Sequence, residues 1–300
     1  MSVVTWLRQP CQSPGGEGIM PQIVAVHGIA QQFLGEHLLH AAWLPALRSG
    51  LSRVGVDLSC EDDLRCAFYG DLFRKKGTKA LGDVPYNASD VTEWEQELLE
   101  TWWREAARVE VQVPGPDAQT KLRTPRIVQR ALNALSNSKF FGSLSERVLI
   151  GSLKQVRSYL DDEAIRHSVR ERVIRVKDDT RVIVGHSLGS VVAYEVLCQN
   201  PGWHIEMFVT FGSPLGIRRL IFDRLHPTPV NETGIWPRSV RNWTNIADGG
   251  DVVALEKQLA HCFGERVRDE LIYNGAKAHD VSPYLTAEET GRAIAAGLRR

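Results

Sequence analysis

Two hydrophobic patterns alternate along this chain. Ile23 to Val26 form an unbroken apolar, mostly β-branched run that ends at His27-Gly28. Such a run reads as a parallel strand buried on both faces, closed by a tight turn. "FLGEHLLHAAWLPALRSGL" follows with apolar residues at helical spacing, and Pro45 predicts a kink or break in that helix. "DLRCAFYGDLF" reads as a second strand ending near Gly70-Asp71. Strand patterns return at "TRVIVG", "HIEMFVTFGSP", "RSVRNWTNIADGGD" and "RVRDELIYNG". A helix at Leu188–Cys198 follows the first of these, and "TAEE" predicts a capping box for a last helix from about Thr286.

Between the two groups of strands, residues 74–178 read almost wholly as helix apart from a brief "VEVQV", with the loops "KKGTKALGDVPYNASD" and "VPGPDAQTKLRT" breaking the pattern. Strands alternating with helices imply an α/β fold, a mostly parallel central sheet with helices on both faces. The expected organisation is a loose tail at 1–20, a sheet core at 21–73 and 179–300, and a large helical lid or cap insertion at 74–178.

Where the strand pattern "RVIV" becomes the helix pattern "SVVAYEVL" stands "GHSLG". A serine hydroxyl needs exposure and a base before it can attack a carbonyl. A sharp strand-to-helix turn lifts it clear of the sheet and crowds the chain two residues to either side, where Gly185 and Gly189 stand. Ser187 is therefore the candidate nucleophile. The Leu188 N–H, at a helix N-terminus, is a candidate oxyanion donor. The second donor is expected from the loop after the first strand: Ile29 N–H, with Ala30 as runner-up. Gly28 lets that loop approach the substrate, and His27 packs beneath it.

This chemistry calls next for an acid and then a histidine. "NIADGGDVVA" ends its strand with two carboxylates, of which Asp251 is preferred and Asp248 is the alternative. Of the nine histidines, His279 in "YNGAKAHDVSPYL" follows the last strand, where a base reaches the strand ends. His261 reads as a helix-end surface residue, His186 as packing under the bend, and Asp280 as a turn cap. Ser213 and Pro214 after the next strand are expected to form the substrate wall, and Asp71 either braces the His27 loop or touches substrate.

The segments "HGIA", "GHSLG", "DGGDVV" and "AHD" resemble the α/β-hydrolase superfamily, and within it the lipase and esterase branch. The resemblance covers roughly Gln22–Asp71 and Arg181 onwards. It departs from the family in lacking the first strands, and the helical block has no counterpart from which a substrate could be inherited. It implies two-step acyl transfer on a carboxylic ester, lipid-like or lactone, through an acyl-serine, with no cofactor or metal. An amidase or peptidase with the same triad, and a binding protein that kept the fold, are the alternatives.

Composition narrows the partners. Thirty-six basic residues balance thirty-six acidic ones, so no net field advertises nucleic acid. No apolar run approaches about eighteen residues, and no helix joins a strongly basic face to an apolar one, which argues against stable membrane anchoring. The odd count of five cysteines, with no zinc spacing and no export signal, points to the cytoplasm. The expected partner is a small-molecule acyl substrate. In the helical block Trp94, Trp102 and Trp103 serve as core or as a lid over the acyl pocket, and "ALNALSNSKFFGSLSERVLIGSL" suits a pocket wall or a homodimer surface.

Overall fold

The computed structural model describes residues 22–74, 86–116, 126–177 and 179–299. The tail read at 1–20, Cys11 and parts of both loops in the helical block lie outside the described residues. Six strands form one sheet: β1 (Ile23–Val26), β2 (Leu64–Ala67), β3 (Val182–His186), β4 (Ile205–Phe211), β5 (Val240–Asp248) and β6 (Val267–Ile272). The spatial order is β2-β1-β3-β4-β5-β6, and every pairing is parallel. The chain therefore steps outward from β1 to β2, then crosses back to β3. That reversal opens a crevice at the carboxyl ends of β1 and β3, the place where open α/β sheets bind ligands.

Both sheet faces are covered, which is why the strands read as unbroken apolar runs. Ile23, Ala25, Val182, Val184 and Phe211 join one buried cluster with α1 (Glu36–Ser52), α8 (Val281–Thr286) and α9 (Glu288–Leu298). Val24, Val26, Ile183 and Phe208 face the other way, into a second cluster with α6 (Leu188–Gln199). The helical segment does not stand apart as a unit. Leu98, Trp102, Leu135 and Leu153, from α2 (Glu93–Val109), α3 (Arg126–Leu135) and α4 (Glu146–Asp161), belong to that same second cluster.

Charge reinforces the join. Glu195 on α6 is fully buried and accepts hydrogen bonds from Tyr159 Oη at 2.6 Å, from Arg166 Nε at 2.9 Å and from the His226 N–H at 3.0 Å. Arg166 lies on α5 (Glu163–Ile174) and is itself buried. Asp71, after β2, pairs with Arg172 of α5 at 2.9 Å, so it ties the sheet to the helices and does not line the cavity described below.

Three local expectations are corrected. The break allowed at Pro45 is absent, since α1 continues through it from Glu36 to Ser52. "VEVQV" is not a strand: α2 ends at Val109, and the Glu110 carboxylate takes Ser138 Oγ and the Lys139 N–H, each at 2.7 Å. The "TAEE" capping box does not form either. Thr286 closes α8 with its hydroxyl on the Pro283 carbonyl, and Ala287 stands at the N-cap of α9 without a side-chain bond.

Candidate active site

All strands being parallel, their carboxyl ends share one edge, and the candidate residues gather there. Ser187 follows β3 and caps α6 at φ 53°, ψ −130°. This is left-handed territory, rarely occupied by a residue with a Cβ. The neighbours account for the glycines. A Cβ on Gly185 would lie 2.6 Å from Ser190 Cα, and one on Gly189 would lie 2.2 Å from the Val26 carbonyl oxygen. Gly28 approaches from β1, where a Cβ would sit 2.8 Å from that of Ser187. A hydroxyl chain steadies the bend: Ser190 Oγ donates to the Ser187 carbonyl at 2.6 Å and accepts from Ser213 Oγ at 2.7 Å.

Geometry separates the two carboxylates, and only Asp251 meets His279. Asp251 Oδ2 accepts from His279 Nδ1 at 2.8 Å, while Oδ1 accepts the N–H groups of Val253 and Ala254 at 2.9 and 3.2 Å. Burial alone would raise this carboxyl. The charge and hydrogen bond of His279, with Lys257 nearby and the Val253 N–H, outweigh it and hold Asp251 at about 2. Asp248 does not meet His279. Its carboxylate takes the Gly250 N–H at 2.6 Å and the Asn274 N–H, so it braces the loops after β5 and β6.

Sequence reasoning did not find Tyr284, whose hydroxyl donates to Asp251 Oδ2 at 2.8 Å and accepts the Asp248 N–H at 2.9 Å. Nor did it find Gly212, at φ 50°, where a Cβ would lie 2.6 Å from Asp251 Oδ2 and 3.0 Å from His279 Nδ1. Position 212 is the glycine of "FGSP", and a glycine before a serine was the available signal.

Ser187 and His279 line one cavity of about 330 Å³. His279 Nε2 is buried and has no hydrogen-bond partner among the described residues. It makes no hydrogen bond to Ser187 Oγ in this arrangement, and such contacts commonly tighten only when substrate is bound. The Phe140 ring stands edge-on over the imidazole, with centroids 4.9 Å apart at 74°, and Trp102, Phe141, Leu144 and Leu149 continue the apolar wall from the helical segment. Trp103 is core instead, its indole N–H on the Pro114 carbonyl at 2.6 Å. Trp94 is half-buried beneath Arg224.

The remaining candidates divide. Ile29 and Ala30 line the cavity. Ala30 N–H is occupied by Gln155 Oε1 at 3.1 Å, leaving Ile29 as the N–H of this pair without a partner among the described residues. Leu188 is buried as the first residue of α6, where N–H groups lack intrahelical partners, and it is not among the cavity-lining residues. Ser213 and Pro214 are corrected as substrate wall. Both are buried outside the cavity, with Ser213 spent on Ser190 and on the Leu215 N–H.

Gly28 and His27 do contribute to the wall, but His27 has no free nitrogen to offer a ligand. Its Nδ1 donates to the Gly28 carbonyl at 2.7 Å, and its Nε2 accepts the Tyr69 N–H at 3.2 Å. His186 Nε2 donates to the His279 carbonyl at 2.9 Å and holds the loop that carries that residue. Asp280 stands at the N-cap of α8 without making a cap bond. His261 is exposed beside Glu256. Among the described residues, no group of three or more His, Cys, Asp or Glu is placed to hold a metal ion, and no helix is long and apolar enough to cross a membrane.

Buried His27 and half-buried His186 make stability depend on pH. Burial lowers His27 to about 4, and burial together with the neighbouring His279 lowers His186 to about 3, from an ordinary value of 6.5. The unfolded chain binds these protons first, so stability is full above pH 6.5 and falls as pH drops towards 4. At about pH 5 the two together should cost about 4 kcal/mol relative to pH 8. Denaturant unfolding at the two pH values measures this, and an unchanged midpoint would contradict it.

Fold and site together define an α/β protein with a six-stranded parallel sheet and a crevice holding a strained serine and a buried aspartate–histidine pair. Comparison with known proteins finds no matching family model, curated relative or solved structure.

Proposed function

We propose that this chain is a serine hydrolase of the α/β-hydrolase kind that cleaves a carboxylic ester through an acyl-serine intermediate. One observation carries the reading: His279, held on buried Asp251 at 2.8 Å, lines the same cavity as Ser187 on its strained bend. The chain order Ser, Asp, His and the strand–turn–helix setting of "GHSLG" support it. Against the full family sheet, the six strands lack the family's first ones among the described residues.

In this mechanism Asp251 fixes the His279 tautomer with Nδ1 protonated, leaving Nε2 as the base. Nε2 takes the Ser187 proton as Oγ attacks the ester carbonyl. The Leu188 and Ile29 N–H groups receive the oxyanion, and the imidazolium returns its proton to the leaving alkoxide. Water, deprotonated by the same nitrogen, then releases the acid and frees Ser187. The apolar wall from the helical segment, closed over His279 by Phe140, acts as a cap that excludes bulk water from these steps.

The test is a fluorophosphonate probe on the purified chain, followed by peptide mapping and a panel of activated esters and matched amides. Labelling at Ser187 with ester turnover is expected. Preference for amides would move the reading to an amidase, and an inert protein would leave a binding module with a vestigial site.

A further inference from the structure

Ala30 adopts φ 64°, a left-handed conformation that glycine accepts freely and alanine does not. An outside contact must therefore hold it. Its N–H donates to Gln155 Oε1 at 3.1 Å. Gln155 lies on α4, is only 6% exposed, and does not line the cavity of Ser187. The bond thus draws the Ala30 N–H away from the cavity and towards the helical segment. The preceding peptide is then the one left to serve the cavity, with Ile29 N–H unpartnered among the described residues. The front of the loop is fixed separately, by His27 stacked on Tyr69 at 4.0 Å between ring centroids.

We infer that Gln155 is a positioning residue for the oxyanion loop: its carboxamide oxygen holds Ala30 in the left-handed conformation and so sets the Ile29 N–H against the cavity. The inference rests on the proposed serine-hydrolase reading. An oxyanion donor stabilises developing charge because it is oriented before the reaction begins. A loop free to relax out of the left-handed conformation would lose that orientation at each turnover. The helical segment, through Gln155, accordingly supplies part of the catalytic geometry in addition to covering the site.

The experiment compares the whole chain with its Gln155→Met and Gln155→Glu variants on one activated ester, with active sites titrated by the fluorophosphonate and a boronic acid used as tetrahedral mimic. Methionine keeps the length and removes the acceptor. It should lower kcat per titrated site by about 10- to 100-fold, leave KM within about threefold, and weaken the boronic acid by the factor lost in kcat/KM. Glutamate retains an oxygen for the Ala30 N–H and should restore kcat to within about fivefold of the parent. If the methionine variant fails to fold, Gln155→Asn, which withdraws the same amide by one methylene, should show the same split.

A residue that only supports folding would reduce the titratable fraction and leave kcat per site unchanged, and that result overturns the inference. So would equal losses in the methionine and glutamate variants. An unmodified chain inert to both probe and esters removes the proposed function and this inference with it. An active parent with an unaffected methionine variant removes the inference alone.

Discussion

Replacing Ser187 by alanine should abolish fluorophosphonate labelling and lower kcat on an activated ester by about 10⁶-fold. Of the cavity-lining serines among the described residues, Ser143, Ser152 and Ser282 lie away from the bend after β3, and residual turnover would reflect only binding and oxyanion donors. A companion substitution reads the strain. Ser187 occupies φ 53° at a bend crowded by Gly28, Gly185 and Gly189. Alanine inherits that conformation, whereas glycine accepts it. Ser187→Gly should therefore be inactive yet more stable than Ser187→Ala by about 1 kcal/mol, measured as a shift in the denaturant midpoint. Labelling that survives in the alanine variant would reject Ser187 as nucleophile, and a glycine variant less stable than alanine would reject the strain.

Asp251→Asn should lower kcat by about 10⁴-fold with little change in KM. The introduced amide would present an N–H to His279 Nδ1, reversing the tautomer so that Nε2 carries the proton and can no longer accept one from Ser187. Asp248→Asn is the matched control. It disturbs the acceptors for the Gly250 and Asn274 N–H groups, so it should destabilise by about 1–3 kcal/mol and reduce kcat by less than about tenfold. Steady-state kinetics on both variants separate the two carboxylates, and the reverse ranking would exchange their roles.

The parts of this site legible in the sequence are those set by local crowding. Gly185 and the change of period around Ser187 announce a bend because those constraints act within a few residues, whereas the crowding at Gly189 comes from Val26 and His27 at the end of β1. The strands were visible because parallel burial makes them continuously apolar. What escaped depends on distant segments meeting. Tyr284 and Gly212 touch Asp251 and His279 only once β4, β5 and α8 converge, and Phe140 reaches the imidazole from a helical segment with no strand pattern to place it. Ser213 and Pro214 were misassigned for the same reason. A strand end beside the bend looks like cavity wall, but Ser213 turns to the hydroxyl of Ser190 instead. "TAEE" failed because its threonine was already consumed by the preceding turn.

Glu195 bears on how the molecule could be dissected. Its carboxylate sits on the helix that begins at Ser187, yet most of the groups that neutralise and ligate it arrive from Tyr159 and Arg166. Excision of the segment between β2 and β3 would strand an uncompensated anion in an apolar interior, a defect of about 3–5 kcal/mol, on the helix that Ser187 caps. A minimal, coverless sheet core is therefore not obtainable by trimming alone. Glu195 would have to be replaced by an apolar residue in the same step.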